Sequence, residues 1–430
     1  MTQPVRIVIV GGGIAGLLLA TRLGNRLGRR GEAHVTLVDR SPTHIWKPML
    51  HTIAAGTTDV HQQQVFYLTH ARAHGFTYRP GEMCGIDRDT QQIQLAALAM
   101  PNGEVVMGPG TLGYDILVLS TGSRANDFGT PGVPEHCHFI DSQPQAEAFN
   151  EAIRSRIVRS VVENEPLRVA IVGAGATGVE LAAELSHLLD VASSYGDASI
   201  RARLHLGLYE SAPRVLTAFP PDISASSEAL LRRLGFEVHT RTRVTEARAQ
   251  RLRLNDGSEV AADLMVWAAG VKAPDFLGKL PGIEASHANQ LFVRPTLQTT
   301  HDDHIFALGD CASLTPPGNE RPLPPTAQVA TQQAEHLAKH LPRWLNGEPL
   351  PEFTFRDFGA LVSLSDYNAF GTLGKFGFFK GGFIRGRFAQ ISHAMLYRRH
   401  QQALHGFGKA SLLWTAERIN ALVQPKIRLK

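Results

Sequence analysis

The chain has 430 residues, of which 43% are hydrophobic and 19% charged, as expected for a globular protein of two or three domains. Its three cysteines lie far apart and its histidines show no metal-ligand spacing, so we expect no disulfide framework, no metal site and a reducing, cytoplasmic compartment. The net charge of +4 is uneven, because residues 371–430 carry 11 Lys and Arg against one acid, which indicates an anionic partner for the tail.

The first predicted element is a buried strand at 5–10, and the N-terminus that leads into it shows no signal peptide. A glycine-rich turn and a helical pattern follow, and a second apolar run at 33–38 ends on Asp39. The glycines of a Gly-x-Gly-x-x-Gly turn allow a tight turn, close approach of a pyrophosphate and helix packing, while the acid binds a ribose. Four residues are predicted to bind this dinucleotide: Gly11, Gly13, Gly16 and Asp39.

The chain then has an irregular pattern to about residue 80, followed by short strands that end at 114–119 and a helix at 143–162. A second glycine-rich turn follows the apolar run 169–172, and Glu210 ends the next predicted strand. Four residues are predicted to bind the second dinucleotide: Gly173, Gly175, Gly178 and Glu210.

Glu210 predicts which nicotinamide nucleotide is bound. A carboxylate at this position binds ribose hydroxyls and repels a 2′-phosphate, so it favours NADH over NADPH, whereas the nearby Arg214 could accommodate that phosphate. Glu210 lies 32 residues after Gly178, against 23 from Gly16 to Asp39, so we expect an extra segment near 190–202 to be looped out.

Two later strands also end on glycine-containing turns. One closes on Gly270, and the other ends on Gly309-Asp310. Asp310 is consistent with a carboxylate placed on a polar group of a cofactor, although the pair alone is also typical of a strand-end turn. A proline-rich loop at 315–325 leads into a helix from near Thr326, whose positive N-terminus could face the pyrimidine edge of a flavin.

Two dinucleotide turns in one chain suggest that a flavin meets a nicotinamide. The predicted fold is α/β, with the two Rossmann-type dinucleotide-binding domains of a flavoprotein plus a separate C-terminal region. We expect a discontinuous first domain at 1–162 and 273–344, a nicotinamide-type insertion at 163–272, and the C-terminal region at 345–430.

Three polar residues on predicted helices have both a structural and a functional interpretation. Gln328 and Gln332 lie four residues apart on one helix face, and the small Ala327 leaves room for a flat ring. Spacing alone favours the structural interpretation, in which they are exposed glutamines on a capped helix. Glu180 lies in the first turn of the second Rossmann helix, where the helix dipole favours a carboxylate. The functional alternative places Glu180 where nicotinamide and flavin meet.

The chain resembles the bacterial type II NADH dehydrogenases, the single-subunit NADH:quinone oxidoreductases, over essentially its whole length. The segments that carry the resemblance are 173–181, 266–275, the Ala-Gln-x-Ala-x-Gln motif at 327–332, and Trp46-Lys47-Pro48. The glutamine motif after Gly-Asp is much more particular than the glycine turns. One departure is Ser120-Thr121-Gly122, where many relatives have Ala-Thr-Gly.

The resemblance implies an FAD-binding domain at 1–162 and 273–344 and an NADH-binding domain at 163–272. It also implies that 345–430 is a membrane-associating region, basic and amphipathic, that anchors the enzyme to the membrane. It also implies that Gln328 and Gln332 line a quinone site and that Glu180 lies near nicotinamide and quinone. Further cofactor contacts are expected at Lys47, Thr121, Gly122, Gly270, Gly309, Asp310 and Ala327. The expected function is that of a peripheral membrane flavoenzyme that passes two electrons from NADH through FAD to a membrane quinone, without proton pumping. Its expected place is the cytoplasmic face of the inner membrane, and a homodimer is left open.

The basic tail carries two apolar patterns at helical spacing. Their positions are Ile384, Phe388, Ile391 and Met395, and then Leu412, Ala416, Ile419 and Val423. Lysines and arginines surround both patterns, which suits helices that lie on an anionic lipid surface. The alternative is a helix packed on its own domain or on a dimer partner. A spanning helix is not expected, because no stretch reaches about 20 apolar residues.

Two other functions fit parts of the sequence. A sulfide:quinone oxidoreductase has a similar build but needs cysteines beside the flavin, and Cys311 shows no obvious partner. A non-enzymatic flavoprotein could use the basic tail to bind nucleic acid. The recurrence of apolar residues on one helical face favours lipid instead, so no nucleic-acid partner is expected.

Overall fold

The structure is a computed structural model that describes residues 3–58, 64–100, 103–195, 200–365, 367–376, 379–385 and 387–423. The chain divides into two compact units. The first unit comprises 1–46, 63–124 and 271–355, and the second comprises 47–62, 125–270 and 356–430. The division into FAD-binding, NADH-binding and membrane-anchoring domains at the predicted bounds stays a prediction.

Ten α-helices and 27 strands occur in the described part of the chain. The helices are α1 Ile14–Arg26, α2 Leu50–Ala55, α3 Tyr67–His74, α4 Val133–His136, α5 Gln143–Glu163, α6 Ala176–Tyr195, α7 Ile200–Arg203, α8 Pro221–Arg233, α9 Ala327–Trp344 and α10 Arg387–Val423. The strands up to residue 125 are β1 Val5–Val10, β2 Ala33–Asp39, β3 Thr43–His44, β4 Val65–Phe66, β5 Thr77–Pro80, β6 Met83–Asp87, β7 Gln92–Leu95, β8 Leu98–Ala99, β9 Val105–Met107, β10 Gly110–Gly113, β11 Ile116–Leu119 and β12 Arg124–Ala125. The later strands are β13 Leu167–Val172, β14 Leu204–Tyr209, β15 Phe236–His239, β16 Val244–Arg248, β17 Arg251–Leu254, β18 Glu259–Ala261, β19 Leu264–Trp267, β20 Val271–Lys272, β21 Leu291–Phe292, β22 Gln298–Thr299, β23 Asp302–Ala307, β24 Ala312–Ser313, β25 Gly359–Leu364, β26 Asn368–Phe376 and β27 Phe379–Arg385.

The first unit is built on a six-stranded sheet in the order β22-β23-β11-β1-β2-β5. Strand β1 pairs in parallel with β2 and with β11, in a register that sets Val10 opposite Val38 and Leu119. The apolar runs are buried because a parallel sheet is covered on both faces. The predicted first Rossmann unit is therefore confirmed, and the carboxyl ends of β1, β2 and β11 lie at one sheet edge.

The second unit repeats this arrangement with the parallel order β15-β14-β13-β19. Val172 lies opposite Tyr209 on one side and Trp267 on the other. Three antiparallel strands, β16 to β18, form a separate small sheet. The predicted second Rossmann unit and the helix at 143–162 are both confirmed.

Two segments differ from the sequence expectations. The stretch predicted to be irregular contains α2 and α3, and all six residues of α2 are buried, so it lacks the polar face that reveals a surface helix. The extra length before Glu210 mainly extends α6 to Tyr195 and adds the short α7. Part of the predicted excursion, 196–199, lies outside the described residues.

The C-terminal part of the second unit begins with the antiparallel sheet β25-β26-β27. The prediction that Ile384 begins a helical face is wrong, because Ile384 lies in β27 opposite Gly371 and the helix begins at Arg387. Helix α10 breaks at Gly406, whose φ of 77° and ψ of 167° are not helical. Arg398 and Gln401 before the break contact Glu417 after it, so the two segments fold back on each other.

The two segments of α10 differ in burial. The first segment buries Tyr397, His400 and Leu404, as expected for the alternative in which the helix packs on its own domain. In the second segment Leu412 is 72% exposed and Ile419 56% exposed. Within the part of the chain that the structure describes, no helix is long and apolar enough to cross a membrane.

Candidate dinucleotide and electron-transfer sites

The first glycine turn has a geometry that only glycine satisfies. Gly11 has a φ of +98°, and a Cβ atom there would overlap the carbonyl oxygen of Ser120. A Cβ at Gly16 would overlap the carbonyl oxygen of Gly11, because helix α1 starts close against β1. Among the described residues, no atom outside the turn and the backbone of α1 lies within 4 Å of the position that a Cβ of Gly13 would take. The first and third glycines thus serve the fold, and the second leaves space for a ligand, as a pyrophosphate requires.

Asp39 is held beside this turn by backbone donors. The N–H of Gly12 donates to Asp39 Oδ2 at 2.6 Å, and the N–H of Ser41 donates to Oδ1 at 2.8 Å. Burial raises the pKa of Asp39, and these two donors act in the opposite direction. The carboxylate therefore bridges the glycine turn and the end of β2, where the ribose of a bound dinucleotide is expected.

The second glycine turn has the same construction in the second unit. Gly173 has a φ of +101°, and a Cβ there would lie 2.7 Å from the backbone of Ala269. A Cβ at Gly178 would overlap the carbonyl oxygen of Gly173, whereas Gly175 again faces open space. Both turns therefore fit a dinucleotide in the same way. In each, the second glycine leaves a space for the pyrophosphate that a side chain would fill.

Glu210 corresponds to Asp39 in this second turn. Its Oε2 accepts from the N–H of Ala174 at 2.7 Å, and its Oε1 accepts from the N–H of Ala212 at 2.8 Å. The guanidinium of Arg214 donates instead to three carbonyl oxygens of its own loop, those of Leu216, Thr217 and Phe219. Arg214 therefore stabilises the loop, which weakens the interpretation that it serves a 2′-phosphate.

Gly270 lies at the end of the segment after β19. Its φ is +61°, and a Cβ there would lie 2.5 Å from the ring of Phe128. Its carbonyl oxygen accepts from the N–H of Asn126, whose own carbonyl accepts from Trp267 Nε1 at 2.8 Å. A cofactor contact at Gly270 stays a prediction.

Gly309 and Asp310 form the turn after β23 in the first unit. The N–H of Gly309 donates to Gln333 Oε1 at 2.7 Å, and Ser123 Oγ donates to Asp310 Oδ2 at 2.7 Å. The carbonyl oxygen of Asp310 accepts from Gln290 Nε2 at 2.9 Å. Gln333 is buried, and no motif or spacing in the sequence indicates its contact with Gly309.

Helix α9 begins where the sequence predicts. Thr326 is its N-cap, with Oγ1 accepting from the N–H of Val329 at 3.3 Å. Gln332 Nε2 donates to Gln328 Oε1 at 3.5 Å, and both side chains are half-buried, as is Ala327. The glutamines are thus neighbours on one face, and their role toward a quinone stays a prediction.

The other predicted cofactor contacts lie at turns. Thr121 and Gly122 follow β11, and Gly122 has a φ of +70° with open space at its Cβ position. Lys47 starts the one-turn 3-10 helix Lys47–Met49 in the second unit. Cofactor contacts of all three residues stay predictions.

Glu180 is buried, which the helix-dipole interpretation did not anticipate. Its Oε1 accepts from the N–H of Ser363 at 3.0 Å, and its Oε2 lies 3.5 Å from His51 Nδ1. Desolvation raises the pKa of Glu180 to about 8, the charge of Glu184 adds to the rise, and the Ser363 donor opposes it. A carboxyl group that holds a proton near neutral pH is suited to proton exchange.

We expect Glu180→Gln to stabilise the protein increasingly as the pH rises from 4.5 to about 8. The folded chain keeps a proton on Glu180 that the unfolded chain loses near pH 4.5, so wild-type stability falls through this window. The slope is at most about 1.4 kcal/mol per pH unit, the value for a difference of one bound proton. Denaturant unfolding of both proteins across the window measures it, and a difference in unfolding free energy that does not vary with pH would contradict the shift.

The described residues offer no metal or disulfide chemistry. No cluster of three potential metal ligands occurs among them. Cys84, Cys137 and Cys311 are all unpaired thiols, and the Cys311 sulfur is buried 3.2 Å from the carbonyl oxygen of Leu308. Burial raises the pKa of Cys311, which disfavours the reactive thiolate. The paired cysteines that sulfide oxidation needs are therefore missing.

Comparison with known proteins agrees with the two dinucleotide-binding turns. Residues 5–334 match the family model described as pyridine nucleotide-disulphide oxidoreductase. A type II NADH:quinone oxidoreductase of Haemophilus influenzae is 41% identical, over 98% of this chain and 99% of that protein. One of Staphylococcus saprophyticus is 27% identical, over 94% and 97%.

Two solved structures share the fold. NDH2 from Plasmodium falciparum in complex with NADH superposes with a TM-score of 0.83 at 18% identity, over 98% of this chain and 99% of that one. The sulfide:quinone oxidoreductase of Aquifex aeolicus gives a TM-score of 0.74 at 16% identity, over 99% and 96%. At these identities the likeness shows the fold alone.

The two Rossmann units with their glycine turns define an oxidoreductase that uses two dinucleotides. The chain belongs to the pyridine nucleotide-disulphide oxidoreductases and, among them, to the type II NADH:quinone oxidoreductase family. The predicted family, the α/β fold with two Rossmann-type domains, the enzyme class and the dinucleotide cofactors are thereby confirmed. Membrane association of the C-terminal region stays a prediction.

Proposed function

We propose that this chain transfers two electrons from NADH through FAD to a membrane quinone. The observation that carries the proposal is the 41% identity to a type II NADH:quinone oxidoreductase along 98% of the chain, together with two complete dinucleotide turns. When bound, FAD supplies the redox chemistry, accepting hydride from NADH and returning two electrons to the quinone. Anaerobic addition of NADH and then of a soluble quinone, followed by flavin absorbance, tests both half-reactions.

The first unit supplies the residues that would hold FAD. Gly13 leaves space for the pyrophosphate at the N-terminus of α1, and Asp39 is oriented toward a ribose by two backbone donors. Asp310 is oriented by Ser123, which supports a role in binding a polar group of the cofactor. The N-terminus of α9 adds a positive dipole that favours negative charge on a bound ring.

The second unit supplies the residues that would hold NADH. Gly175 leaves the corresponding space at the N-terminus of α6, and Glu210 accepts from the turn backbone with both oxygens. A carboxylate fixed in this way repels a 2′-phosphate, and Arg214 is bound to loop carbonyls rather than to Glu210. We therefore propose NADH, not NADPH, as the electron donor.

We assign quinone contact to Gln328 and Gln332, which is the role implied by the Ala-Gln-x-Ala-x-Gln motif. The two glutamines contact each other on one half-buried face of α9, beside the small Ala327, which supports the assignment. Their amide groups can donate hydrogen bonds to quinone carbonyl oxygens, and the alanine leaves room for the ring. Glu180 is assigned to proton handling, because its raised pKa keeps it protonated at neutral pH.

The second segment of α10 is proposed to lie on the membrane surface. It exposes Leu412 and Ile419, and Arg418 stacks 4.9 Å above the ring of Trp414. Exposed apolar side chains between basic ones suit an anionic leaflet, which for an enzyme that takes NADH from the cytoplasm is the cytoplasmic one. We propose peripheral attachment there and electron transfer without proton pumping.

We expect the double variant Leu412→Ser, Ile419→Ser to bind anionic vesicles at least about tenfold more weakly, since each buried apolar side chain contributes about 2 kcal/mol. Sedimentation with vesicles measures the binding. The matched control is Val158→Ser, Val162→Ser, which removes two side chains that are 61% and 73% exposed on α5 and should leave binding unchanged. Equal sedimentation of both variants with wild type would contradict this assignment.

A further inference from the structure

A buried polar cluster in the second unit joins three segments of the chain. His51 lies on α2, Glu180 and Glu184 lie one turn apart on α6, and Ser363 lies on β25. Among the described residues, the titratable groups that face Glu180 are His51 and Glu184, and β25 contributes the Ser363 N–H. The Thr57 hydroxyl donates to Glu184 Oε2 at 2.7 Å.

The charges of this cluster depend on one another. Two carboxylates one helical turn apart repel each other, and burying a charge costs several kcal/mol unless it is paired. Burial and the nearby charge of Glu184 both favour the protonated form of Glu180. His51 Nδ1, at 3.5 Å from Glu180 Oε2, is a second position for the same proton, since an imidazolium would stabilise the Glu180 carboxylate.

The proposed reaction needs such a proton. NADH, one proton and a quinone give NAD⁺ and a quinol, so the hydride carries two electrons and one proton, and water must supply the other proton. The side chains of His51 and Glu180 are only 5% and 10% exposed, which makes the pair a protected place to hold it.

We infer that His51 is the proton partner of Glu180, and that the two side chains share one exchangeable proton that the reduction of the quinone consumes. His51 is a positioning residue here, because it acts through Glu180. This inference rests on the proposed function, and it names a residue that spacing and motif did not indicate.

The first test measures the protonation of the Glu180 carboxyl group directly. Infrared titration of the FAD-loaded protein follows the carboxylic-acid band that Glu180→Gln removes. In His51→Asn that band should persist to higher pH by about one unit, because the imidazolium that favours the carboxylate is gone. An unchanged titration of the band would overturn the inference.

The second test separates the half-reactions. In His51→Asn we expect reduction by NADH to stay within about twofold of wild type, because hydride transfer takes no proton from water. Reoxidation by a soluble quinone should slow about tenfold and lose its wild-type pH dependence, as for a missing proton donor. Equal slowing of both half-reactions, with the wild-type pH profile retained, would indicate a structural role and overturn the inference.

Two further variants act as a substitute and a control in these tests. His51→Gln also replaces the imidazole with an amide, and it takes the place of His51→Asn if that variant does not fold. His138→Asn is the matched control, because His138 is a half-buried histidine of the same unit that packs edge-on against Phe149. If wild-type protein is not reduced by NADH or not reoxidised by quinone, the proposed function fails. If both steps occur and His51→Asn titrates as wild type does, only this inference fails.

Discussion

Gly173→Ala is expected to slow reduction by NADH about 100-fold while the protein keeps its FAD. The new Cβ would lie 2.7 Å from the backbone of Ala269, and a φ of +101° is strained for alanine by about 1–3 kcal/mol. The turn must therefore shift, and a shift of about 1 Å at a nucleotide site costs about 100-fold in rate. Stopped-flow reduction under anaerobic conditions measures the rate, and the flavin-to-protein absorbance ratio measures cofactor content.

Gly257→Ala is the matched control for this substitution. Gly257 has a φ of +86° in the turn between β17 and β18 of the same unit. Apart from its chain neighbours, no atom in the described part of the chain lies within 4 Å of a Cβ placed there. The control carries the conformational strain without the clash at the turn, so its reduction rate should match wild type. A Gly173→Ala protein that NADH reduces at the wild-type rate would show that this turn does not bind the donor.

Glu210→Gln is expected to raise the KM for NADH and to relax the rejection of NADPH. The substitution keeps the size of the side chain but replaces a charged acceptor of the Ala174 and Ala212 N–H groups, an interaction worth about 1.5–3 kcal/mol. The ratio of kcat/KM for NADH to that for NADPH should fall by about 10- to 100-fold. Steady-state kinetics with both nucleotides give this ratio.

Glu237→Gln provides the control for lost charge. Glu237 lies on β15, which pairs with β14, the strand just before Glu210. Its side chain is 72% exposed, so the variant removes one negative charge without touching the glycine turn. Its nucleotide preference should equal that of wild type. If both variants shift the preference equally, general electrostatics and not the Glu210 carboxylate select the donor.

The Rossmann units were predictable because their signals are local. The apolar strands β1 and β13, the glycine turns that follow them and the acids at the next strand ends occupy nearby sequence positions. The first glycine of each turn also adopts a backbone conformation that other residues rarely adopt. The start of α9 at Thr326 was predictable for the same reason, since a capping side chain and the helix it caps are adjacent.

The features that the sequence did not predict depend on distant partners. Ile384 matched a helical period by chance, and its pairing with Gly371 places it in a strand. The burial of Glu180 depends on α2 and β25, which reach it from 129 residues before and 183 residues after along the chain. The buried Gln333 accepts from the N–H of Gly309, which lies 24 residues earlier in the chain. No local pattern encodes such tertiary contacts.

The proposed electron transfer from NADH to a quinone is tested by stepwise anaerobic reduction of the purified FAD-loaded protein. NADH is added first, NADPH is added to a parallel sample, and a soluble quinone follows, with the visible flavin absorbance recorded throughout. We expect rapid loss of the absorbance with NADH, little change with NADPH, and full recovery on addition of quinone. Absorbance that persists with both nucleotides would contradict the NADH dehydrogenase function.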